Sequence, residues 1–302
     1  GTSVAGVFTR SKTRSAAVDW CKKSLKGGKA AAFLCNSGNS NAFTGSAGLK
    51  AVKECAKSLS APLNEVFLAS TGVIGVPLPY EKITKNLASL KPSGWLDAAK
   101  AISTTDTFYK LAKREFDGII INGIVKGSGM IAPDMATLIA MVATNAKIPA
   151  KQLQKMLAEA NEKTFNCITV DSDTSTSDTL LLFATNKKKA DLAKFKKALH
   201  EVLHELQRQR HVDVDGALEA GQSDRTQQRH REEHVVLEPA CGDGVRQQRD
   251  DLLALAGDGH LLDGIEQQVA PVVRRRRPHV VDGTLAVELH SGEPGVGLGE
   301  HP

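Results

Sequence analysis

With 302 residues and 41% hydrophobic side chains, the chain is long enough to bury a large core in one or two domains. No apolar run approaches the roughly 20 residues needed to cross a bilayer, so no membrane segment is predicted. The five cysteines are scattered, odd in number and without C-x-x-C spacing. That pattern argues against a disulfide framework and a zinc site, and it favours a reducing cytoplasm. No targeting segment is visible after Gly1.

The formal charge of +5 conceals two very different halves. Residues 1–199 carry 25 Lys and 3 Arg against 15 acidic residues, whereas residues 200–302 carry 11 Arg and no Lys against 19 acidic residues. All nine His lie from His200 onward. The two halves of one natural gene rarely differ so sharply in composition.

Short strands and helices alternate through the first hundred residues. The opening segment 1–12 predicts a strand, 15–25 a helix, 29–35 a strand and 44–59 a helix whose cap is Thr44 or Ser46. The Asn/Ser/Gly cluster 36–43 is typical of a plain turn. A strand at 65–70 leads into the loop 70–79, which has neither a P-loop nor a dinucleotide fingerprint. Helices are predicted at 80–90 and 96–102.

The stretch 126–146, KGSGMIAPDMATLIAMVATNA, joins a loop of small residues to an apolar run. A strand at 117–125 leads into it, and its small residues and Pro form a loop that can approach a ligand. At Ala136-Thr137 it becomes a short apolar run, which favours a buried strand, although periodicity alone also permits a helix. Thr137 therefore follows a glycine-rich loop, a position open to a nucleophile but also ordinary for a threonine.

After this stretch, Pro149 predicts the start of an amphipathic helix. Strands are predicted at 166–170 and 179–185, and the acidic turn 171–178 lacks the pattern of a calcium loop. A helix is predicted at 187–207. Alternating strands and helices indicate an α/β or α+β fold with mixed sheets and flanking helices.

Six segments in order resemble the ornithine acetyltransferase (glutamate N-acetyltransferase) family of arginine biosynthesis, over about residues 1–200. They are AGVFTRSKTRSA, NSGNSNAFTG, STGVIG, STTDT, KGSGMIAPDMATL and FN-ITVDSDTSTSDT. The resemblance implies a self-processing fold with an N-terminal nucleophile. It implies a cut between Ala136 and Thr137, an α-chain portion 1–136 and a β-chain that begins with Thr137. The processed units are expected to be α/β heterodimers that pair into a heterotetramer.

The resemblance also implies ping-pong acetyl transfer from N-acetylornithine to glutamate through acetyl-Thr137. Thr71 and Gly72 match the family's oxyanion hole, Lys126 matches a substrate-contacting lysine, and one of Thr104 and Thr105 contacts substrate. No cofactor or metal is implied, and acetyl-CoA is an alternative acetyl donor. Three residues depart from the family pattern: Asp134, Cys167 and Ser172.

The resemblance stops near Leu206, so 137–206 is interpreted as the start of the β-chain and 207–302 as an atypical segment. The family's Gly-Glu-Gly-Ala-Thr-like segment and its C-terminal Asn and Thr are not found. Residues after about 207 are predicted to be irregular or non-native, either a frameshift or a disordered tail. Sequencing the coding DNA tests this, because an intact frame contradicts a frameshift.

Two other functions fit parts of the sequence. A self-processing amidohydrolase or aminopeptidase would use the same nucleophile with water as acceptor. A nucleic-acid-binding protein would use the basic first half, but its lysines are spread over several helices and only two Trp and two Tyr are present. Acetyl transfer is the preferred function, with weak or no activity expected of this chain.

Overall fold

The computed structural model describes residues 1–127, 138–167, 175–224, 279–281 and 284–288. Its strands are β1 (Thr2–Phe8), β2 (Lys29–Ala30), β3 (Ala32–Asn39), β4 (Val66–Val73), β5 (Lys91–Pro92), β6 (Lys110–Phe116), β7 (Ile119–Lys126), β8 (Ile139–Lys147), β9 (Thr179–Lys189), β10 (His279–Val281) and β11 (Thr284–Glu288). Its helices are α1 (Ala16–Ser24), α2 (Gly45–Lys57), α3 (Tyr80–Asn86), α4 (Trp95–Ile102), α5 (Ala150–Glu162) and α6 (Leu192–Asp224).

Two mixed sheets form the centre of the described part of the chain. The larger has the order β2-β1-β9-β8-β7-β6, in which β8 and β9 are parallel and β7 runs antiparallel to β8. The smaller has the order β4-β3-β11-β10-β5, in which β3 and β4 are parallel. Because β7 pairs with β8 up to Lys126 opposite Ile139, the two ends of segment 127–138 lie side by side.

Side chains alternate between the two faces of each sheet, and both faces are covered. The result is four layers: helices, the larger sheet, the smaller sheet and further helices. One face of the larger sheet packs on α5 and α6, as in the cluster that contains Val142, Leu182 and Leu203. Its other face meets the smaller sheet, where the rings of Phe33 and Phe183 lie 5.7 Å apart. The far face of the smaller sheet packs against α2 and α3. The fold is therefore α/β with mixed sheets and flanking helices, as predicted.

Most elements predicted from periodicity are present with small changes of boundary. The apolar run after Thr137 is the buried strand β8, which decides between the strand and helix alternatives. The predicted strand at 65–70 continues to Val73, because its last residues pair with Ser37, Gly38 and Asn39 of β3. The turn predicted at 36–43 therefore begins later, since residues 36–39 belong to β3.

Several expectations were wrong. Strand β6 was missed, because its KLAKREF sequence is largely polar. Phe165–Cys167 form a 3₁₀ turn where a strand had been predicted to begin.

Regular structure is described in two places beyond residue 207. Helix α6 continues through the predicted boundary to Asp224, and β10 and β11 complete the smaller sheet. The helix keeps a buried face beyond 207, because Arg210 and Asp213 are enclosed by partners on other elements. Within the described residues, no helix is long and apolar enough to cross a membrane.

Candidate active site

The site begins with a buried lysine at the end of β7. The Nζ atom of Lys126 donates a hydrogen bond of 3.1 Å to Oγ1 of Thr71, near the end of β4. Only 1% of Lys126 and 6% of Thr71 are exposed to solvent. Because the ammonium occupies an acceptor position on Thr71, the Thr71 hydroxyl hydrogen must point elsewhere and can serve as a donor.

Gly72 occupies a backbone conformation that only glycine adopts readily. Its φ is +129°, and a Cβ atom added there would lie 2.2 Å from the carbonyl carbon of Gly38 and 2.5 Å from the nitrogen of Asn39. Both the dihedral angle and the close approach of β3 therefore require glycine. Thr71 and Gly72, predicted together as oxyanion donors, lie at the exposed end of the two parallel strands.

The polar cluster after β3 fixes this strand end. Ser70 donates a 2.7 Å hydrogen bond to Oδ1 of Asn36, and Asn36 donates through Nδ2 to the carbonyl of Asn39. Ser40 donates to the carbonyl of Val73 through its hydroxyl at 2.8 Å. The Asn/Ser/Gly segment therefore braces the strand end on which Thr71 and Gly72 lie.

Asp106 connects the predicted substrate threonines to Lys126. Its Oδ2 accepts a hydrogen bond of 3.1 Å from the backbone of Thr104, and its Oδ1 accepts one of 2.7 Å from the backbone of Gly127. Thr104 and Thr105 are exposed, and the bond from Gly127 to Asp106 places this segment beside the end of β7. Sequence reasoning identified the segment but did not assign Asp106.

A buried ion-pair network lies behind this segment. Lys110 is fully buried, and its Nζ lies 2.5 Å from Oδ1 of Asp106 and 2.5 Å from Oδ2 of Asp213. The backbone nitrogen of Thr107 also donates to Asp213, at 2.7 Å. Burial alone would raise the pKa of Asp106, but the Lys110 ammonium and the bonds from Lys110, Gly127 and Thr104 outweigh it and lower that pKa.

Arg210 of α6 and Asp178 before β9 are two further buried ionisable groups. Nε of Arg210 donates to the carbonyl of Gly127 at 3.2 Å, and Oδ1 of Asp178 accepts from the backbone of Leu138 at 2.7 Å. Burial lowers the pKa of Arg210 to about 10 and raises the pKa of Asp178 to about 8. Burial also lowers the pKa of Lys126, an effect that Asp106 opposes and Arg210 reinforces.

Sequence reasoning missed Asp178, Lys110, Arg210 and Asp213. Asp178 had been placed in an ordinary polar turn, and Arg210 and Asp213 in the atypical tail. No local pattern distinguishes these residues, because their partners lie on other elements. Only the placement of α6 against β6 and β7 brings them together.

The proposed cleavage site lies outside the described residues. Ala136, Thr137 and Asp134 fall in segment 128–137, and Ser172 falls in segment 168–174. The flanking residues Gly127 and Leu138 are described and buried against the charges above. Among the described residues, no group of three or more His, Cys, Asp or Glu side chains is arranged to hold a metal ion.

The raised pKa of Asp178 predicts a pH-dependent stability. The unfolded chain loses this proton near pH ~4, whereas the folded chain keeps it until about pH 8, so stability falls as pH rises between these values. The side chain introduced by Asp178→Asn does not titrate, so this loss of stability should be absent. Between pH 4 and 8 the free energy of unfolding of the variant should therefore rise relative to that of its parent, by on the order of 2–5 kcal/mol. Urea unfolding of Thr137→Ala chains, which are expected to remain uncut, measures the difference.

Asp19 supplies the control for this pH experiment. Its side chain is 44% exposed and its carboxylate lies 3.0 Å from the guanidinium of Arg14. Asp19→Asn therefore makes the same chemical change at a solvent-exposed position. Asp19→Asn should change the unfolding free energy at pH 7 by less than about 1 kcal/mol, because solvent screens an exposed ion pair. Parallel pH curves for Asp178→Asn and its parent would contradict the buried, protonated state of Asp178.

The fold and site define an α/β protein with a buried, charged centre at the ends of its central strands. The ArgJ family model matches residues 1–233, and the chain belongs to this family. The match extends past Leu206, near which the resemblance of the motifs stops. It also covers Arg210 and Asp213.

Curated relatives agree with this family. The arginine biosynthesis bifunctional protein ArgJ of Mesorhizobium japonicum is 49% identical over 241 residues, covering 72% of this chain and 58% of the relative. That of Bartonella henselae is 51% identical over 236 residues, covering 71% and 58%. The chain thus spans somewhat more than half the length of these relatives. The solved ArgJ structure from Bacillus halodurans is 29% identical, with a TM-score of 0.39 over 46% of this chain and 91% of that one.

Proposed function

We propose that this chain belongs to an acetyltransferase that moves an acetyl group from N-acetylornithine to glutamate after cutting itself between Ala136 and Thr137. The observation that carries the proposal is the buried hydrogen bond between Lys126 and Thr71. It joins two residues matched independently by the family motifs, directly beside the segment that contains the scissile bond. Membership of the ArgJ family, whose curated relatives are named for arginine biosynthesis, supports the same reaction.

Self-cleavage requires only the chain and water. The Thr137 hydroxyl oxygen attacks the Ala136 carbonyl carbon, the carbon–nitrogen bond breaks, and the nitrogen takes the hydroxyl proton to become an amine. Water then hydrolyses the resulting ester, which releases the Ala136 carboxylate and restores the Thr137 hydroxyl. The new α-amine has an ordinary pKa of about 7.7–8.0, so a useful fraction is neutral and acts as base for the adjacent hydroxyl.

Acetyl transfer then proceeds in two balanced halves. Thr137 takes the acetyl group from N-acetylornithine and ornithine leaves; the amine of glutamate next attacks acetyl-Thr137 and N-acetylglutamate leaves. The Thr71 hydroxyl and the Gly72 N–H stabilise the oxyanion that forms in each half, and one such donor typically contributes about 3–4 kcal/mol. Lys126 binds a substrate carboxylate, and Thr104 or Thr105 contacts the substrate.

The rate expected of this chain is low, because the family's later substrate-binding segments are not found after residue 207. No cofactor is required; acetyl-CoA is a second possible donor for Thr137. The processed chain acts in the cytoplasm as a heterodimer that pairs into a heterotetramer. Neither nucleic acid nor membrane is a partner in this proposal.

Intact mass after expression tests the proposal. The chain should yield two fragments that meet at the Ala136–Thr137 bond, because the Thr137 hydroxyl is the attacking group. Thr137→Ala should yield one uncut chain, and Thr137→Ser should still be cut, because serine supplies the same hydroxyl. Mass spectrometry of each purified protein identifies the new ends.

The transfer reaction is measured separately, by following N-acetylglutamate formed from N-acetylornithine and glutamate. Any transfer should disappear in Thr137→Ala. An intact parent chain, or a Thr137→Ala chain cut at the same bond, would contradict self-cleavage by Thr137. Cleavage combined with hydrolysis of N-acetylornithine, whether or not glutamate is present, would favour the amidohydrolase instead.

A further inference from the structure

Three buried ionisable side chains bond to the two residues that flank the segment containing the scissile bond. Asp106 accepts the backbone N–H of Gly127 at 2.7 Å, and Arg210 donates to the carbonyl of Gly127 at 3.2 Å. Asp178 accepts the backbone N–H of Leu138 at 2.7 Å. We call Asp106, Asp178 and Arg210 the end clamp.

The end clamp draws its members from three distant parts of the chain. Asp106 lies between α4 and β6, Asp178 immediately before β9, and Arg210 in α6. Their side chains are almost fully enclosed, with the Asp106 side chain at 0%, Asp178 at 0% and Arg210 at 1% exposure. Such burial costs free energy unless each group is paired or hydrogen-bonded.

Arg210 links the two halves of the end clamp electrostatically. Its guanidinium attracts the Asp106 carboxylate, which holds Gly127, and favours the ionised form of Asp178, which holds Leu138. The β ladder adds a second connection, because Lys126 pairs with Ile139 just outside the clamped residues. Gly127 and Leu138, which flank segment 128–137, are therefore fixed relative to each other by side chains as well as by the sheet.

Leu138 is the flanking residue that follows Thr137 directly in the chain. Its nitrogen is covalently bonded to the carbonyl carbon of Thr137, so the bond to Asp178 restrains the peptide unit that Thr137 shares with Leu138. An error of about 1 Å in the placement of an attacking group can cost about a hundredfold in rate. A group that fixes this peptide unit therefore affects how often the hydroxyl reaches the Ala136 carbonyl.

We infer that the end clamp positions the Ala136–Thr137 bond for self-cleavage, with Asp178 and Arg210 as positioning residues rather than reacting groups. This inference rests on the proposed function, because it concerns the rate of the same cut. It adds residues that no part of the transfer reaction uses. It also gives a role to the part of α6 that follows residue 207.

The test compares two replacements of Asp178 in the full chain made by cell-free translation. Asp178→Asn keeps a side-chain oxygen that can accept the Leu138 N–H, whereas Asp178→Ala removes it. Asp178→Ala should slow cleavage at least tenfold, and Asp178→Asn should remain within about threefold of the parent. Asp19→Ala and Asp19→Asn are matched controls outside the end clamp, and both should be cut at the parental rate. Gel bands sampled over time give each rate.

A second measurement separates positioning from general loss of structure. In chains that also carry Thr137→Ala, amide hydrogen exchange is followed at Leu138 and along β9. Asp178→Ala should accelerate exchange at Leu138 at least tenfold and leave the β9 amides protected. Asp178→Asn should retain the slow exchange at Leu138.

Arg210 provides an independent arm. Arg210→Met removes the donor to Gly127 and should slow cleavage at least tenfold, whereas Arg210→Lys keeps the charge and should recover part of the rate. If the parent chain is cut, and Asp178→Ala and Arg210→Met are cut as fast as the parent, the role of the end clamp is overturned but the proposed function is not. A folded Asp178→Asn chain as slow as Asp178→Ala would overturn positioning through the hydrogen bond. A parent chain that is never cut would overturn the proposed function and the role in cleavage together.

Discussion

Replacing Gly72 with alanine is expected to lower the free energy of unfolding by roughly 2–6 kcal/mol, the combined cost of backbone strain and overpacking. Its φ of +129° belongs to a region that residues with a Cβ adopt only under strain. The added methyl would also lie 2.2 Å from a backbone atom of Gly38, which cannot move without disturbing β3. Urea unfolding of the uncut Thr137→Ala chain measures the loss.

Gly75 allows the two costs to be separated. It also has a positive φ, +80°, but a Cβ added there meets no heavy atom within 4 Å. Gly75→Ala should therefore lose only about 1–2 kcal/mol, from strain alone. Equal losses at the two positions would show that the close approach of β3 to Gly72 contributes nothing to stability.

Replacing Lys110 with methionine is expected to destabilise the uncut chain by about 3–5 kcal/mol, because it leaves two buried carboxylates without their shared cation. The side chains of Lys110, Asp106 and Asp213 are all fully buried, so water cannot replace the lost ammonium. Adding Asp213→Asn to Lys110→Met should restore part of the loss by removing one uncompensated charge. The four unfolding free energies form a double-mutant cycle.

Lys194 is the control for Lys110. It forms an ion pair of 2.7 Å with Asp117, but both side chains are more than half exposed. Lys194→Met should change the unfolding free energy very little, because water and salt screen such a pair. If both lysine replacements cost the same, the buried network is not a stabilising feature of the fold.

Periodicity was enough to predict elements whose apolar faces are set by their own sequence. Helix α5 is an example, because its buried residues recur at the spacing of a helix, whereas the almost continuously buried run that forms β8 left strand and helix open. Strand β6 could not be found this way. Strand β6 is held by its antiparallel pairing with β7, which its polar sequence does not indicate.

The candidate site divides in the same manner. Family motifs led to Thr71, Gly72 and Lys126, and the structure brings Thr71 and Lys126 within hydrogen-bonding distance. Asp178 and Arg210 carry no comparable motif signal, because each acts on a backbone atom far away in sequence. The electrostatic role of such residues depends on packing of α6 and β9, which a linear pattern does not contain.

The strand order of the larger sheet has a consequence for the proposed cut. Strands β9 and β8 lie between β1 on one side and β7 on the other. Residues 1–136 contribute both outer neighbours, and residues from 137 onward contribute both inner strands. Severing the chain at residue 136 thus creates two polypeptides interleaved within one sheet. They can separate only if the ladders β1–β9 and β7–β8 both break, so processing changes the covalent connectivity while the assembly stays whole.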